Sequence, residues 1–139
     1  MNTHRPLIDL GFTAERFPAG VHICQSFTDD EERENALFHY LLSGINSGER
    51  TACFSDKATA PQVDDFLGRQ GRCYAELSTS GLLTLSATEH VYFRDERFDP
   101  DRMVEVLTQF HDESIDHGYR AARVIGEMSP AVRHVPETT

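Results

Sequence analysis

The chain has 139 residues, of which 39% are hydrophobic, and its 13 basic and 23 acidic residues give a net charge of -10. This length fits one domain with its own hydrophobic core. The negative charge opposes binding to nucleic-acid backbones and to anionic membrane surfaces. The sequence has no apolar run of membrane-span or signal-peptide type. We therefore expect a soluble, cytoplasmic protein.

The three cysteines, Cys24, Cys53 and Cys73, are widely spaced and form no C-x-x-C motif. An odd number of dispersed cysteines indicates neither a disulfide framework nor a zinc module. Residues 1–19 follow no sustained period, and we interpret them as an irregular lead-in with at most one short turn near residues 8–12. The organised part of the chain is expected to start at Gly20.

A short strand is predicted at residues 21–27, followed by a long helix from about Asp29 to Ser47. Thr28 and Asp29 are both suitable N-cap residues, and Gly48 is suited to end the helix. The apolar residues of this helix recur at helical spacing and form one face: Leu37, Phe38, Leu41, Leu42 and Ile45. Such a face is expected to pack on a sheet.

A second strand is predicted at residues 50–55, followed by a helix with Pro61 in its first turn and Gly71 beyond its end. A short helical turn is expected at residues 74–77. The third strand, residues 82–87, is nearly continuous in its apolar character, which is typical of buried parallel strands. This order of elements is that of an α/β protein.

After a loop that contains Tyr92, another helix is predicted, with Asp99 as its N-cap, Pro100 as its first residue and Gly118 at its end. The last strand is predicted at residues 119–126. Strands that alternate with helices favour right-handed βαβ units. The sequence therefore predicts an α/β fold with a mainly parallel sheet and flanking helices.

The junction between the first strand and the first helix lacks the residues of a nucleotide-binding loop. Such a loop needs glycines, whose backbone N–H groups approach the phosphates, and a lysine that reaches the terminal phosphates. Here the junction has neither, and residues 29–32 are four consecutive carboxylates that repel phosphate. We expect no useful affinity for ATP and no cofactor.

A ligand site is predicted outside the carboxyl ends of the strands, where ligands collect in open parallel sheets. His22, Cys24 and Ser26 lie two apart and share one face of the first predicted strand. Glu127 comes directly after the last predicted strand. The residues expected to form the ligand site are His22, Cys24, Ser26, Phe27, Tyr92, Glu127 and Met128.

Other interpretations of the same residues stay open. A metal-dependent or thiol enzyme would use His22, Cys24 and Glu127. Two ligands on one strand are too few for a zinc site, and same-face neighbours on a strand seldom have the approach geometry of a thiolate–imidazole pair. His22 is equally well explained as a core histidine with a hydrogen-bond partner. A pure interaction module without a small ligand is a further alternative.

Four ordered segments resemble the MEDS family, the methanogen/methylotroph DcmR sensory domains. These segments are residues 20–27 (GVHICQSF), residues 48–50 (GER), residues 97–103 (RFDPDRM) and residues 119–129 (YRAARVIGEMS). The resemblance spans about residues 20–129, which we interpret as the sensory domain, and leaves residues 130–139 as a polar tail. His22 and Cys24 match the family's His-x-Cys signature, and Glu127 and Met128 match its Gly-Glu-Met-Ser.

The resemblance implies a cytoplasmic, non-enzymatic ligand-sensing domain of a signalling or transcription-regulatory protein. It implies a three-layer arrangement similar to RecA-type ATPases without their phosphate loop, and hydrocarbon-derived ligands such as halogenated or methylated small molecules. Family members often have an aromatic residue where this chain has Pro130, and they continue with further strands beyond the position of Thr139. We therefore expect a homodimer, and an output domain or partner protein outside this chain.

Overall fold

The computed structural model describes residues 7–18, 20, 29–55, 57–87, 91, 93–94 and 97–126. The helices and strands of these residues are, in chain order, β1 Leu7–Asp9, β2 Arg16–Pro18, α1 Asp30–Asn46, β3 Arg50–Phe54, α2 Ala60–Arg69, α3 Tyr74–Ser80, β4 Leu83–Ser86, β5 Phe93–Arg94, β6 Arg97–Phe98, α4 Pro100–Asp116 and β7 Ala122–Gly126. The predicted strand at residues 21–27 lies outside the described residues.

A three-stranded sheet of order β4-β3-β7 forms the centre of the described structure. Both pairs are parallel: Thr51 of β3 lies opposite Leu83 of β4 and opposite Arg123 of β7. The chain reaches β4 from β3 through α2 and α3, and it reaches β7 on the other side of β3 through α4. The prediction of an α/β fold with a parallel sheet flanked by helices is confirmed.

Helices cover both faces of the sheet. Because side chains alternate along a strand, β3 sends Cys53 to one face and Phe54 to the other. The first core contains Cys53 with apolar side chains of α1, α2, α3 and β4. The second contains Ala52 and Phe54 with α4 and the face of β7 that carries Val124. The protein therefore has three layers: α1 to α3, the sheet, and α4.

The helix boundaries follow the capping residues that the sequence predicted. Asp29 is the N-cap of α1, and its carboxylate accepts a hydrogen bond from Glu31 N at 3.0 Å. Asp99 is the N-cap of α4, where its carboxylate accepts from Arg102 N at 3.1 Å and Pro100 is the first helical residue. These short-range signals are readable from sequence because each involves residues within one helical turn.

Two antiparallel pairs differ from the sequence prediction. β1 pairs with β2 inside the lead-in that was expected to be irregular, and β5 pairs with β6 where a loop was expected. Strands of two or three residues are too short to show an alternating pattern. The first pair is also attached by tertiary contact, since Ser43 Oγ of α1 donates to Asp9 O at 2.6 Å. The last strand begins at Ala122 rather than at residue 119.

Gly44 allows α1 to approach the sheet closely. A Cβ atom at this position would lie 2.6 Å from Thr51 Oγ1 and 2.8 Å from Arg123 Cδ. Both neighbours are buried, with Thr51 0% and Arg123 3% exposed, so neither has free space into which to move. The helix backbone at Gly44 therefore sits directly against the side chains of β3 and β7.

We predict that Gly44→Ala destabilises the protein by about 1–3 kcal/mol, the usual cost of overpacking a filled interior. The matched control is Gly68→Ala in α2, where an added Cβ meets nothing within 4 Å. Gly68→Ala should stabilise the protein by up to about 1 kcal/mol, since alanine is a better helix former than glycine. Urea unfolding of both variants measures the effect. Equal stabilisation by the two substitutions would contradict the close approach at Gly44.

Candidate functional site

The residues predicted to form the ligand site all lie outside the described residues. They are His22, Cys24, Ser26, Phe27, Tyr92, Glu127 and Met128. Their convergence on one cavity therefore stays a prediction. The described residues nevertheless define the carboxyl edge of the sheet, at which these residues were expected.

The carboxyl ends of β3 and β4 form a topological switch point. The two ends are level, because Ser55 N donates a hydrogen bond to Ser86 O at 3.0 Å. After β3 the chain continues into α2 on one face of the sheet, whereas after β4 it continues towards α4 on the opposite face. Adjacent strands whose connections diverge in this way leave a crevice between them, where α/β proteins bind ligands.

Ser55 shapes the backbone at this point. Its side chain is buried, with 7% of the residue exposed. Ser55 Oγ accepts hydrogen bonds from Lys57 N and Ala58 N, both at 3.0 Å. The hydroxyl therefore holds the turn that leads from β3 towards α2, and it fixes one side of the crevice. This is a positioning role that needs no ligand.

A cleft of about 250 Å³ lies between the sheet and α4, on the face opposite α1. We call it the α4 cleft. Its apolar lining consists of Ala52, Phe54, Val91, Val106 and Phe110, and its polar lining consists of Thr84, Ser86, Arg102, Gln109 and Glu113. Ser86 is the last residue of β4. The end of the cleft at which Ser86 lies therefore reaches the switch point.

The shape of the α4 cleft follows from the spacing of its lining residues along α4 and along β4. Arg102, Val106, Gln109 and Glu113 are four, three and four residues apart, so they lie along one side of α4. At 1.5 Å per residue, that stripe is roughly 16 Å long. The opposite wall is the face of β4 that carries Thr84 and Ser86. The cleft is therefore elongated, with Arg102 and Glu113 at its two ends.

Arg50 contacts α4 at the end of the cleft at which Glu113 lies. Arg50 Nη1 is 3.8 Å from Glu113 Oε1 and donates to Ser114 Oγ at 3.3 Å. Its guanidinium carbon lies 4.7 Å from the centre of the Phe110 ring, within cation–π range. These contacts hold the last turns of α4 against the start of β3, and they keep the Phe110 ring in the wall of the cleft.

The other face of the sheet is closed by a buried polar cluster around Arg123. Arg123 Nε is 2.9 Å from Glu49 Oε1, and both residues are 3% exposed. The remaining guanidinium nitrogens donate to Tyr40 O at 3.0 Å and to Asp9 O at 2.7 Å. The guanidinium also lies over the Tyr40 ring, 4.6 Å from its centre. Every nitrogen has a partner within the protein, so the cluster is structural.

Tyr40 covers the outer edge of β7. Arg50 N donates to Ala121 O, so by the alternation of a parallel ladder the carbonyl of Val124 points away from β3. Tyr40 hydroxyl donates to that carbonyl at 3.3 Å. Burial raises the pKa of Tyr40 above its ordinary value of 10.0; Arg123 opposes this shift and Glu49 adds to it.

Among the residues that the structure describes, no group of three His, Cys, Asp or Glu side chains is placed to hold a metal ion. No helix in the same part of the chain is long and apolar enough to cross a membrane. The alternative enzyme site of His22, Cys24 and Glu127 falls outside these residues and stays untested.

The α4 cleft was not predicted from the sequence. The strand at residues 82–87 was expected to be buried on both faces, but Leu83 and Leu85 face the α1 side while Thr84 and Ser86 face the cleft. The signal was present in the alternation Leu-Thr-Leu-Ser, which is typical of a strand with one polar face. What could not be read was that α4 leaves this polar face uncovered.

Comparison with known proteins found a match to one protein family. The family model described as MEthanogen/methylotroph, DcmR Sensory domain (MEDS) matches residues 21–139, which is most of the chain. The resemblance inferred from the sequence is therefore confirmed. Searches of curated proteins and of solved structures found no match.

The raised pKa of Tyr40 generates a prediction for alkaline pH. A pKa that is higher in the folded than in the unfolded state stabilises the protein fully below the unfolded value of about 10. That stability is lost as the pH rises through the folded pKa. The free energy of unfolding should therefore fall above pH 10.0, and more steeply in the native chain than in Tyr40→Phe. Urea unfolding across this range measures both curves, and parallel curves would contradict the shift.

Proposed function

The chain belongs to the MEDS family of sensory domains, and on this basis we propose that it binds a small organic molecule and signals its presence to a partner. The output domain or partner protein is proposed to lie outside this chain, in a signalling or transcription-regulatory system. We propose a binding role without catalysis. A cytoplasmic setting is part of the proposal, and Cys53 and Cys73 are free thiols, as is usual in a reducing compartment.

The observation that carries the proposal is the switch point between β3 and β4. It supports a ligand crevice at the carboxyl edge of the sheet, which is where the sequence predicts the site. Gly126, the last residue of β7, lies opposite Phe54, the last residue of β3, so the strand that precedes Glu127 in sequence ends at this same edge. We propose that the ligand contacts His22, Cys24, Ser26, Phe27, Tyr92, Glu127 and Met128.

The proposed ligand is a hydrocarbon derivative, with halogenated or methylated small molecules as the first class to test. The net charge of -10 disfavours anionic ligands that approach from solution. A compound present at a hundred times its dissociation constant adds about 2.7 kcal/mol to the free energy of unfolding. Thermal-shift measurements with dichloromethane, methanol, trimethylamine and ATP therefore test the proposal. We expect one of the organic compounds, and not ATP, to raise the melting temperature.

His22→Ala tests the site. We expect about a tenfold loss of affinity for the compound that binds the native chain, since a pocket imidazole contributes a directed hydrogen bond to a charged or polar group. The melting temperature without ligand should change little. His111→Ala is the matched control, because His111 is exposed on α4 and its ring is hydrogen bonded to the neighbouring Asp112. It should change neither quantity.

The opposite pattern would identify His22 as a core residue. In that case the variant would lose several degrees of melting temperature while its affinity per folded molecule stayed that of the native chain. A low-micromolar dissociation constant for ATP, measured by calorimetry, would contradict the proposal that the nucleotide-binding function is absent.

We further propose that the domain forms a homodimer. Among the described strands β4 pairs with β3 alone, so within the described part of the chain the other edge of β4 has no partner strand. Such edges are usually covered in soluble proteins, and a two-fold symmetric contact is the simplest cover. Sedimentation at high micromolar concentration should show twice the mass of 15.7 kDa. A single monomeric species at that concentration would contradict the dimer.

A further inference from the structure

We propose that the α4 cleft is itself a binding site, and that its ligand is a small uncharged molecule with an apolar body and one hydroxyl group. This inference goes beyond the proposed function, because it adds a second site to the one predicted at the strand ends and assigns a chemical class to the ligand of that second site. It differs in location from the predicted site, since it uses the face of β4 and the side of α4 rather than the ends of the strands.

Two hydroxyl groups supply the polar part of the argument. Thr84 and Ser86 are two residues apart on β4, so both side chains project from the same face into the cleft. In the part of the chain that the structure describes, neither hydroxyl forms a hydrogen bond to another protein group. Both residues are half-buried, and neither hydroxyl is a buried atom without a partner, so both hydroxyl groups are open to the cleft and available to a ligand. A ligand hydroxyl both donates and accepts, and so it can pair with these groups.

Apolar side chains supply the rest of the lining. Phe54 and Phe110, which are 4% and 9% exposed, present ring surface to the cleft, and Val91 and Val106 complete that surface. A cleft with apolar walls and a few convergent polar groups is the usual form of a small-molecule site. Sites for drug-sized molecules occupy about 300–1,000 Å³, so a cleft of about 250 Å³ suits a smaller compound.

The charges at the ends of the cleft favour an uncharged ligand. Glu113 is engaged by Arg50 at 3.8 Å and by Gln109 Nε2, which donates to Glu113 Oε2 at 3.0 Å. Arg102, at the other end, also takes part in contacts within the protein. An ionised ligand would give up its hydration without an uncommitted opposite charge beside the apolar walls, which is costly.

Benzyl alcohol is the probe, and toluene is the comparison that lacks the hydroxyl group. Titration of the isotope-labelled chain, followed by NMR, reports where each compound binds. We expect benzyl alcohol to shift the methyl resonances of Val91 and Val106 in a saturable way and to leave those of Leu37 and Ile45, on the other face of the sheet, unchanged. Toluene should bind about threefold to tenfold more weakly, the usual contribution of one hydrogen bond.

Val106→Phe is designed to fill the cleft, and it should weaken benzyl alcohol binding by about tenfold or more, since a filled site has no room to adapt. Val104→Phe is the matched control: it lies on the same helix, is 57% exposed and is absent from the cleft lining. It should leave binding unchanged. Gln109→Phe, at an exposed position in the cleft wall, is the second blocking variant if Val106→Phe does not fold.

Two results would overturn the inference. If benzyl alcohol binds with its shifts elsewhere, or with an affinity that neither blocking variant changes, the ligand site is not the α4 cleft, and the proposed sensory function stands. If benzyl alcohol gives no saturable shifts, the assigned ligand class is wrong, whereas the sensory function is then judged separately by the response to halogenated and methylated compounds.

Discussion

The buried ion pair between Arg123 and Glu49 is the contact on which most of the described structure depends. It joins the second residue of β7 to the residue that precedes β3, and the same guanidinium donates to carbonyls of α1 and β1. Removal of one partner from such a pair typically costs about 3–5 kcal/mol, because the other charge stays buried without compensation. The other elements on the α1 face of the sheet are placed so that this buried pair keeps its partners.

Several features become understandable from it. α1 carries glycine at position 44, where a larger residue would meet the Arg123 side chain. Tyr40 lies with its ring over the guanidinium and its hydroxyl on the edge of β7. The β1–β2 pair is attached through Asp9 O, which accepts from both Arg123 and Ser43. A residue in the N-terminal pair thus shares hydrogen bonds with the central sheet, so the β1–β2 pair is part of the packed structure.

The two faces of the sheet have different characters as a result. On the α1 face, the described residues form a large apolar core together with the Arg123 cluster. On the opposite face, α4 is the only helix among the described elements; it packs on β3 and β7. The neighbouring β4 has two polar residues beside the α4 cleft. Of the two ligand sites that we propose, one lies in the α4 cleft and one at the strand ends that adjoin it.

The sequence by itself determined the α/β class, the MEDS family and the starts of the helices at Asp29 and Asp99, because these depend on local order, spacing and capping within a few residues. Only the tertiary structure decided the strand order, the short β1–β2 and β5–β6 pairs, and the contact between Glu49 and Arg123, which are 74 residues apart. The polar residues Thr84 and Ser86 were visible in the sequence, but their cleft was not. Whether a polar strand face is covered or open depends on where a distant helix packs, and no local pattern in β4 records the position of α4.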